Sequence, residues 1–125
     1  MAEAIAVIGA SRHRHKFGNK AVRAFLQKGY TVCPVNPNET EVEGLPAFAR
    51  VSDIAEPVEL ATLYLPPAAG LGVVEDLAAK GIRRVYLNPG ASSPELVARL
   101  KARGIEPLEA CSIVAIGLSP HDFPD

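Results

Sequence analysis

Short apolar runs alternate along this chain with segments whose apolar residues recur every three or four positions. Ile5-Ala6-Val7-Ile8 is a continuous apolar run ending at Gly9, the pattern of a strand covered on both faces. A polar loop runs from Ser11 to Lys16. From Gly18 onward, Ala21, Val22, Phe25 and Leu26 share one helical face, with Asn19 as the expected N-cap and Gly29 as the stop. Tyr30 to Val35 reads as a second strand, although Pro34 has no N–H to give a ladder.

Asn36 to Gly44 is polar and reads as a loop. Leu45-Pro46-Ala47-Phe48 reads as a brief edge strand, and Val51 to Glu56 as a short helix. Leu60 to Tyr64 is the next apolar strand, stopped by Pro66-Pro67. Leu71, Val74, Leu77 and Ala78 then fall on one helical face that closes at Gly81. Arg83 to Leu87 is a strand broken by Asn88-Pro89-Gly90. The helix after it starts either at Ser93, with Pro94 at the first helical position, or at a Ser92/Glu95 capping box. Leu96, Val97 and Leu100 form its apolar face and Gly104 ends it. Ile105 to Leu108 reads as a last edge strand. An apolar run from Ile113 to Leu118 follows, and the tail from Pro120 reads as frayed.

Strand–helix alternation implies βαβ units with right-handed crossovers. The expected fold is α/β: a Rossmann-like, doubly wound parallel sheet of five to six strands with helices on both faces. Such sheets bind ligands beyond the carboxyl ends of their strands. The 125 residues, 48% hydrophobic and 22% charged, fit a single domain spanning 1–125, with no room for a separate substrate domain.

Charge and cysteine usage narrow the function. Thirteen basic and 14 acidic residues give a net charge of -1, without the basic surplus that nucleic-acid binding calls for. Two cysteines, Cys33 and Cys111, suggest neither a disulfide framework nor, with three histidines, a zinc site. The N-terminal residues carry no signal-peptide pattern, and no apolar stretch is long enough to span a membrane. A reduced, cytoplasmic protein that touches neither membrane nor nucleic acid is expected.

The first strand leads into Gly9-Ala10-Ser11, where a tight glycine turn lets backbone N–H groups approach a phosphate and the Ser11 hydroxyl adds a donor. The dinucleotide fingerprint is absent. Position 11 is serine, and Asn36-Pro37-Asn38 stands where an acidic residue would hold a ribose. No Walker A loop is present either. Arg12-His13-Arg14-His15-Lys16 is the densest basic cluster in the chain. It is either a clamp for phosphates or a solvated charged loop, and Arg12 and Lys16 stay charged at neutral pH where the histidines do not. No catalytic constellation is legible. His13 and His15 lack an acidic orienter, Ser11 has no G-x-S-x-G elbow, Cys33 belongs to a strand, and Cys111 reads as structural.

Taken in order, Ile5 to Ser11, Gly29-Tyr30-x-Val32-x-Pro34-Val35-Asn36-Pro37, Gly44-Leu45-Pro46, Tyr64-x-Pro66-Pro67 and Gly104-Ile105 resemble the stand-alone CoA-binding domain proteins. These are similar to the N-terminal domain of the succinyl-CoA synthetase alpha subunit. The resemblance runs from about residue 4 to Cys111. It implies CoA lying across the strand ends, a strand order of 3-2-1-4-5 with room for a sixth, and a crevice between the first strand and the one ending at Tyr64. It places Gly9, Ala10 and Ser11 on the phosphates together with the basic loop. Val35, Asn36 and Pro37 would line the adenosine, Tyr64, Leu65, Pro66 and Pro67 the middle of the cofactor, and Asn88, Pro89 and Gly90 the pantetheine arm.

Two departures qualify the resemblance. Asn38-Glu39 stands where related domains often carry a basic residue, so the CoA 3′-phosphate would fall to Arg12, Arg14 or Lys16. The synthetase's phosphohistidine and ligase machinery lie in a further domain with no counterpart in these residues. The expected function is therefore a CoA or acyl-CoA binding module without catalytic groups of its own, and without a CoA–Cys111 disulfide. The alternatives are an enzyme or subunit acting on CoA thioesters with a partner chain, and a binder of NAD, FAD or ATP in the same crevice. A protein partner or a homo-oligomer stays open.

Overall fold

Five parallel strands form the central sheet of the computed structural model, which describes residues 3–125. They are β1 (Ala4–Ile8), β2 (Thr31–Val35), β5 (Leu60–Leu63), β6 (Arg84–Leu87) and β7 (Glu106–Glu109), in the spatial order β2-β1-β5-β6-β7. Ile8 sits opposite both Val35 and Leu63, so three strands end level with one another. The chain leaves β1 toward β2 and returns to β5 on the other side. The order therefore reverses at β1, and a crevice opens between β1 and β5.

Helices cover both faces. On one side α1 (Phe17–Gln27) and the short α5 (Ser112–Ala115) bury Ala21, Val22, Phe25 and Ile113 against Ile5, Val7 and Val32. On the other, α2 (Pro67–Leu71), α3 (Val74–Lys80) and α4 (Pro94–Ala102) bury Val74, Leu77, Leu96 and Leu100 against Ile8, Leu63, Val85 and Leu87. Among the described residues, no helix is long and apolar enough to cross a membrane.

Most expected elements are present, with physical reasons for the differences. The strand order matches the expectation except at its edge. Leu45–Phe48 yields only an isolated bridge, Val35 to Phe48, plus half of a small hairpin. That hairpin pairs β3 (Glu41–Val42) with β4 (Leu45–Pro46), where a loop was expected. Its two-residue turn, Glu43-Gly44, has positive φ at both positions (50° and 80°), as tight hairpins require.

Pro34 is tolerated because β2 is an edge strand. Its carbonyl faces away from β1 and accepts from Phe48 N–H at 2.9 Å, so the missing amide lies on the open side too. Ser93 is the N-cap of α4, its Oγ accepting from the Leu96 N–H at 3.1 Å. Asn19, by contrast, caps nothing: α1 begins at Phe17, and Asn19 is buried inside it. Leu26 is more than a third exposed rather than part of the apolar face. The expected helix over Val51–Glu56 is a single 3₁₀ turn, Val51–Asp53. The expected helix from Leu71 to Ala78 is two pieces broken at Gly72 and Val73.

The tail is docked. Phe123 is buried, and Arg23 donates to the carbonyls of Pro124 (2.8 Å) and Phe123 (3.4 Å).

Candidate functional site

The loop after β1 is shaped by two glycines. Gly9 has φ 90, and a β-carbon there would meet the Tyr64 backbone. A β-carbon on Gly18, the second residue of α1, would strike the Gly9 carbonyl oxygen. The start of α1 is thus drawn tightly against the end of β1. No side chain caps α1, and its first turn carries no acidic residue. Its first residues, Phe17 and Gly18, line the crevice; the first N–H groups of a helix have no partner within it, and its dipole favours an anion at that end. Lys16 stands at the N-cap.

Three asparagines hold this region through their side-chain amides. Asn36 Nδ2 donates to the Ala10 carbonyl at 2.8 Å, and its Oδ1 accepts from the Asn38 N–H. Asn19 Nδ2 donates to the Ser11 carbonyl at 2.9 Å and to Glu43 at 3.0 Å, while its Oδ1 accepts from Arg23 Nε. Asn88 ties the end of β6 to β5 and to the start of α5. Asn36 and Asn88 line the crevice, and their amides are engaged with the protein. The Ser11 hydroxyl accepts from the His13 N–H at 3.0 Å and keeps its own proton to give.

The crevice has two chambers that share Gly9, Asn36 and Leu65. The larger, about 660 Å³, runs from the α1 terminus past Tyr64 to Asn88-Pro89-Gly90. The smaller, about 500 Å³, lies between Val35-Asn36-Pro37 and the start of α3, with Val51 and Val73 among its walls. Gly9, Ser11, Lys16, Val35, Asn36, Pro37, Tyr64, Leu65, Pro66, Asn88, Pro89 and Gly90 all line one chamber or both. Ala10, Arg12, Arg14 and Pro67 line neither. Ala10 is buried beneath the turn. The two arginines turn to acidic partners, Arg12 to Glu39 at 3.6 Å and Arg14 to Glu43 at 3.5 Å.

His15 of the basic loop lines the larger chamber too. Other wall residues carried no expectation: Phe17 and Gly18 in the larger chamber, and Arg50 and Asp76 in the smaller. A glycine opening a helix nine positions after Gly9 was a usable signal for Gly18. Arg50 and Asp76 meet at 2.8 Å across 26 residues of sequence, and nothing local announces such a pair. Burial alone would raise the Asp76 carboxyl, but the Ser52 N–H and Arg50 outweigh it and hold it below its ordinary value.

Tyr64, with Phe17, Asn88 and Pro89, lines both the larger chamber and a third, small cavity. Burial pushes its hydroxyl up to about 12, so it stays protonated at neutral pH. Cys111 is half-buried at that cavity, whereas Cys33 is buried in the core. Among the described residues, no group of three or more His, Cys, Asp and Glu side chains is placed to hold a metal ion.

Comparisons with known proteins show what the whole chain is similar to. The family model described as CoA binding domain matches residues 3–117. The ADP-forming acetate–CoA ligase I of Archaeoglobus fulgidus is 30% identical over 115 residues, which are 90% of this chain and 17% of the ligase. The chain thus spans less than a fifth of that relative's length. A conserved hypothetical protein of Pyrococcus furiosus superposes with a TM-score of 0.82 at 31% identity, over 92% of this chain and 99% of its own. The dinucleotide-forming acetyl-coenzyme A synthetase 1 of Ca. Korarchaeum cryptofilum, in its apo form, superposes with a TM-score of 0.76 at 30% identity. That match covers 86% of this chain and 26% of the synthetase.

Proposed function

The chain belongs to the CoA-binding domain family, and from that membership we propose that it binds CoA or an acyl-CoA across the carboxyl ends of β1, β5 and β6. The observation that carries the proposal is the turn at Gly9, which opens onto an uncapped helix terminus with Lys16 beside it and no acid in its first turn. This is a site for a pyrophosphate. Gly9, Ser11 and Lys16 would hold it, with Ala10 buried beneath them. The chamber at Val35, Asn36 and Pro37 has the apolar walls that an adenosine needs. Tyr64, Leu65 and Pro66 would meet the middle of the ligand, with Pro67 starting α2 behind them, and Asn88, Pro89 and Gly90 its arm. Arg12 and Arg14 would reach a 3′-phosphate only by leaving Glu39 and Glu43.

The protein would act as a cytoplasmic, single-domain binding module, with no catalytic group of its own. A second reading has its own support: the ligase and synthetase it matches are several times longer. In that reading the chain is a subunit, and a partner chain supplies the chemistry on the CoA thioester.

Thermal unfolding of ligand-free protein with CoA, dephospho-CoA, NAD and ATP tests the proposal. Ligand at about a thousand times its dissociation constant adds about 4 kcal/mol. A rise in Tm with CoA is the expected result. A rise with NAD or ATP and none with CoA would overturn it. A stoichiometric partner on purification from the source cell would favour the subunit reading.

A further inference from the structure

Behind the cleft wall, four polar side chains form a hydrogen-bonded chain whose direction can be worked out. The Asn88 amide is oriented at both ends. Its Oδ1 accepts from the Ser112 backbone N–H at 2.9 Å, and its Nδ2 donates to the Leu63 carbonyl at 2.9 Å and to Thr62 Oγ1 at 2.7 Å. Thr62 Oγ1 therefore receives a proton. Thr62 is fully buried, and its own proton goes to Ser112 Oγ at 2.8 Å. Ser112 is fully buried too, and having accepted from Thr62 it sends its proton to Tyr64 Oη at 3.0 Å. Reversing either bond would strand a hydroxyl proton in the dry interior. Among the described residues, the Tyr64 proton is the one left without a partner.

Tyr64 lines the larger chamber and also a cavity of about 100 Å³ that it shares with Phe17, Asn88, Pro89 and Cys111. That volume holds about three water-sized groups. The aromatic ring, the proline and the thiol give the cavity largely apolar walls with no charged side chain.

We propose that the Tyr64 hydroxyl donates a hydrogen bond to a carbonyl oxygen on the arm of the bound ligand, and that the small cavity seats the short uncharged group attached to that carbonyl. The proposal rests on the CoA reading above and specifies what the far end of that site selects. CoA brings amide carbonyls in its arm, and an acyl-CoA adds a thioester carbonyl. The shared chemistry is a neutral carbonyl acceptor with little bulk behind it.

The test is titration calorimetry on ligand-free protein, wild type and Tyr64→Phe, with adenosine 3′,5′-bisphosphate, CoA and acetyl-CoA. Tyr64→Phe keeps the ring and removes the donor. It should bind the bisphosphate, which has no arm, as wild type does, and bind an arm-bearing ligand up to about tenfold more weakly. A loss shared by CoA and acetyl-CoA assigns an amide carbonyl, and a loss confined to acetyl-CoA assigns the thioester; both support the proposal. Equal affinity of variant and wild type for CoA and acetyl-CoA overturns it while leaving the CoA reading intact. A loss that includes the bisphosphate also overturns it, because the hydroxyl would then be acting through the fold. Wild type that binds none of the three overturns the CoA reading itself. Cys111→Leu fills the cavity without touching the hydrogen-bonded chain. It should weaken an arm-bearing ligand and spare the bisphosphate, and an unchanged preference would overturn the cavity's part.

Discussion

Gly9 lies so close to Tyr64 that a β-carbon on residue 9 would stand 2.5 Å from the Tyr64 carbonyl oxygen. The two residues follow the paired ends of β1 and β5, and the Tyr64 N–H donates to the Ile8 carbonyl at 2.8 Å. The crevice exists because the chain can turn here with no side chain in the way. Gly9→Ala must adopt a left-handed φ, at about 1–2 kcal/mol, and push a backbone aside, at roughly 1–3 kcal/mol more. At about 4 °C per kcal/mol, Tm should fall by about 8 °C or more in a thermal melt. A melt within about 2 °C of wild type would mean that the turn relaxes freely and that glycine is not required.

Asn88→Ala should be among the costliest polar truncations in the chain. It removes three hydrogen bonds at once and leaves the Ser112 N–H, the Leu63 carbonyl and Thr62 Oγ1 without their partner in a buried site. The expected loss is about 2–4 kcal/mol, read as a lower urea midpoint with an unchanged slope. A loss below about 1 kcal/mol would show that water replaces the amide.

The fold was legible where one local signal sufficed. Ile5–Ile8 is apolar without interruption, and Leu60–Leu63 is broken only by Thr62, because both faces of the sheet are covered. Ser93-Pro94 announced its cap. Asn19 misled because a polar residue near a helix start resembles a cap, while its partners, Ser11 and Glu43, lie 8 and 24 positions away. The hairpin was hidden by its size, two residues a strand. At the crevice, the glycine turn and the strand-end prolines could be read from the sequence. The neutralisation of Arg12 and Arg14 could not, since the glutamates that face them sit in a loop with no periodicity. Phe123 looked like tail because its burial depends wholly on α1.

Glu39→Gln tests that neutralisation. Glutamine keeps an oxygen for the Arg12 backbone N–H, which Glu39 accepts at 2.8 Å, but releases the guanidinium. Stability should change by less than about 1 kcal/mol, because the Arg12 side chain is 70% exposed and solvent screens the pair. Under the CoA proposal, affinity for CoA should rise a few-fold at low salt and return to the wild-type value at high salt. Unchanged affinity at low salt would mean that Arg12 plays no part in holding phosphate.

Phe123→Ala should destabilise the protein although only two residues follow it in this sequence. The residue is 6% exposed, and the Arg23 guanidinium stands 5.8 Å over its ring while reaching Asn19 Oδ1 and the tail backbone. The expected loss is about 2–4 kcal/mol by chemical denaturation. A change under about 0.5 kcal/mol would return the tail to the frayed state that the sequence suggested.

Cys33 should make the protein less stable in alkali. Burial, with a smaller contribution from Glu56, pushes its thiol from 9.0 to about 11. Below pH 9 the thiol is protonated in both states and contributes no slope. Between about pH 9 and 11 the unfolded chain loses this proton and the folded chain keeps it. The unfolded state then binds fewer protons, so stability falls as pH rises. Tyr64 acts in the same direction over a higher window, from 10.0 to about 12. Comparison with Cys33→Ala isolates the thiol. The variant should be offset by the small void it creates, and its stability should fall less steeply above pH 9 than that of wild type in urea titrations. A thiol reagent at neutral pH should modify half-buried Cys111 first and reach Cys33 only as the protein unfolds. Parallel slopes for wild type and Cys33→Ala between pH 9 and 11 would show that the buried thiol ionises as readily as a free one.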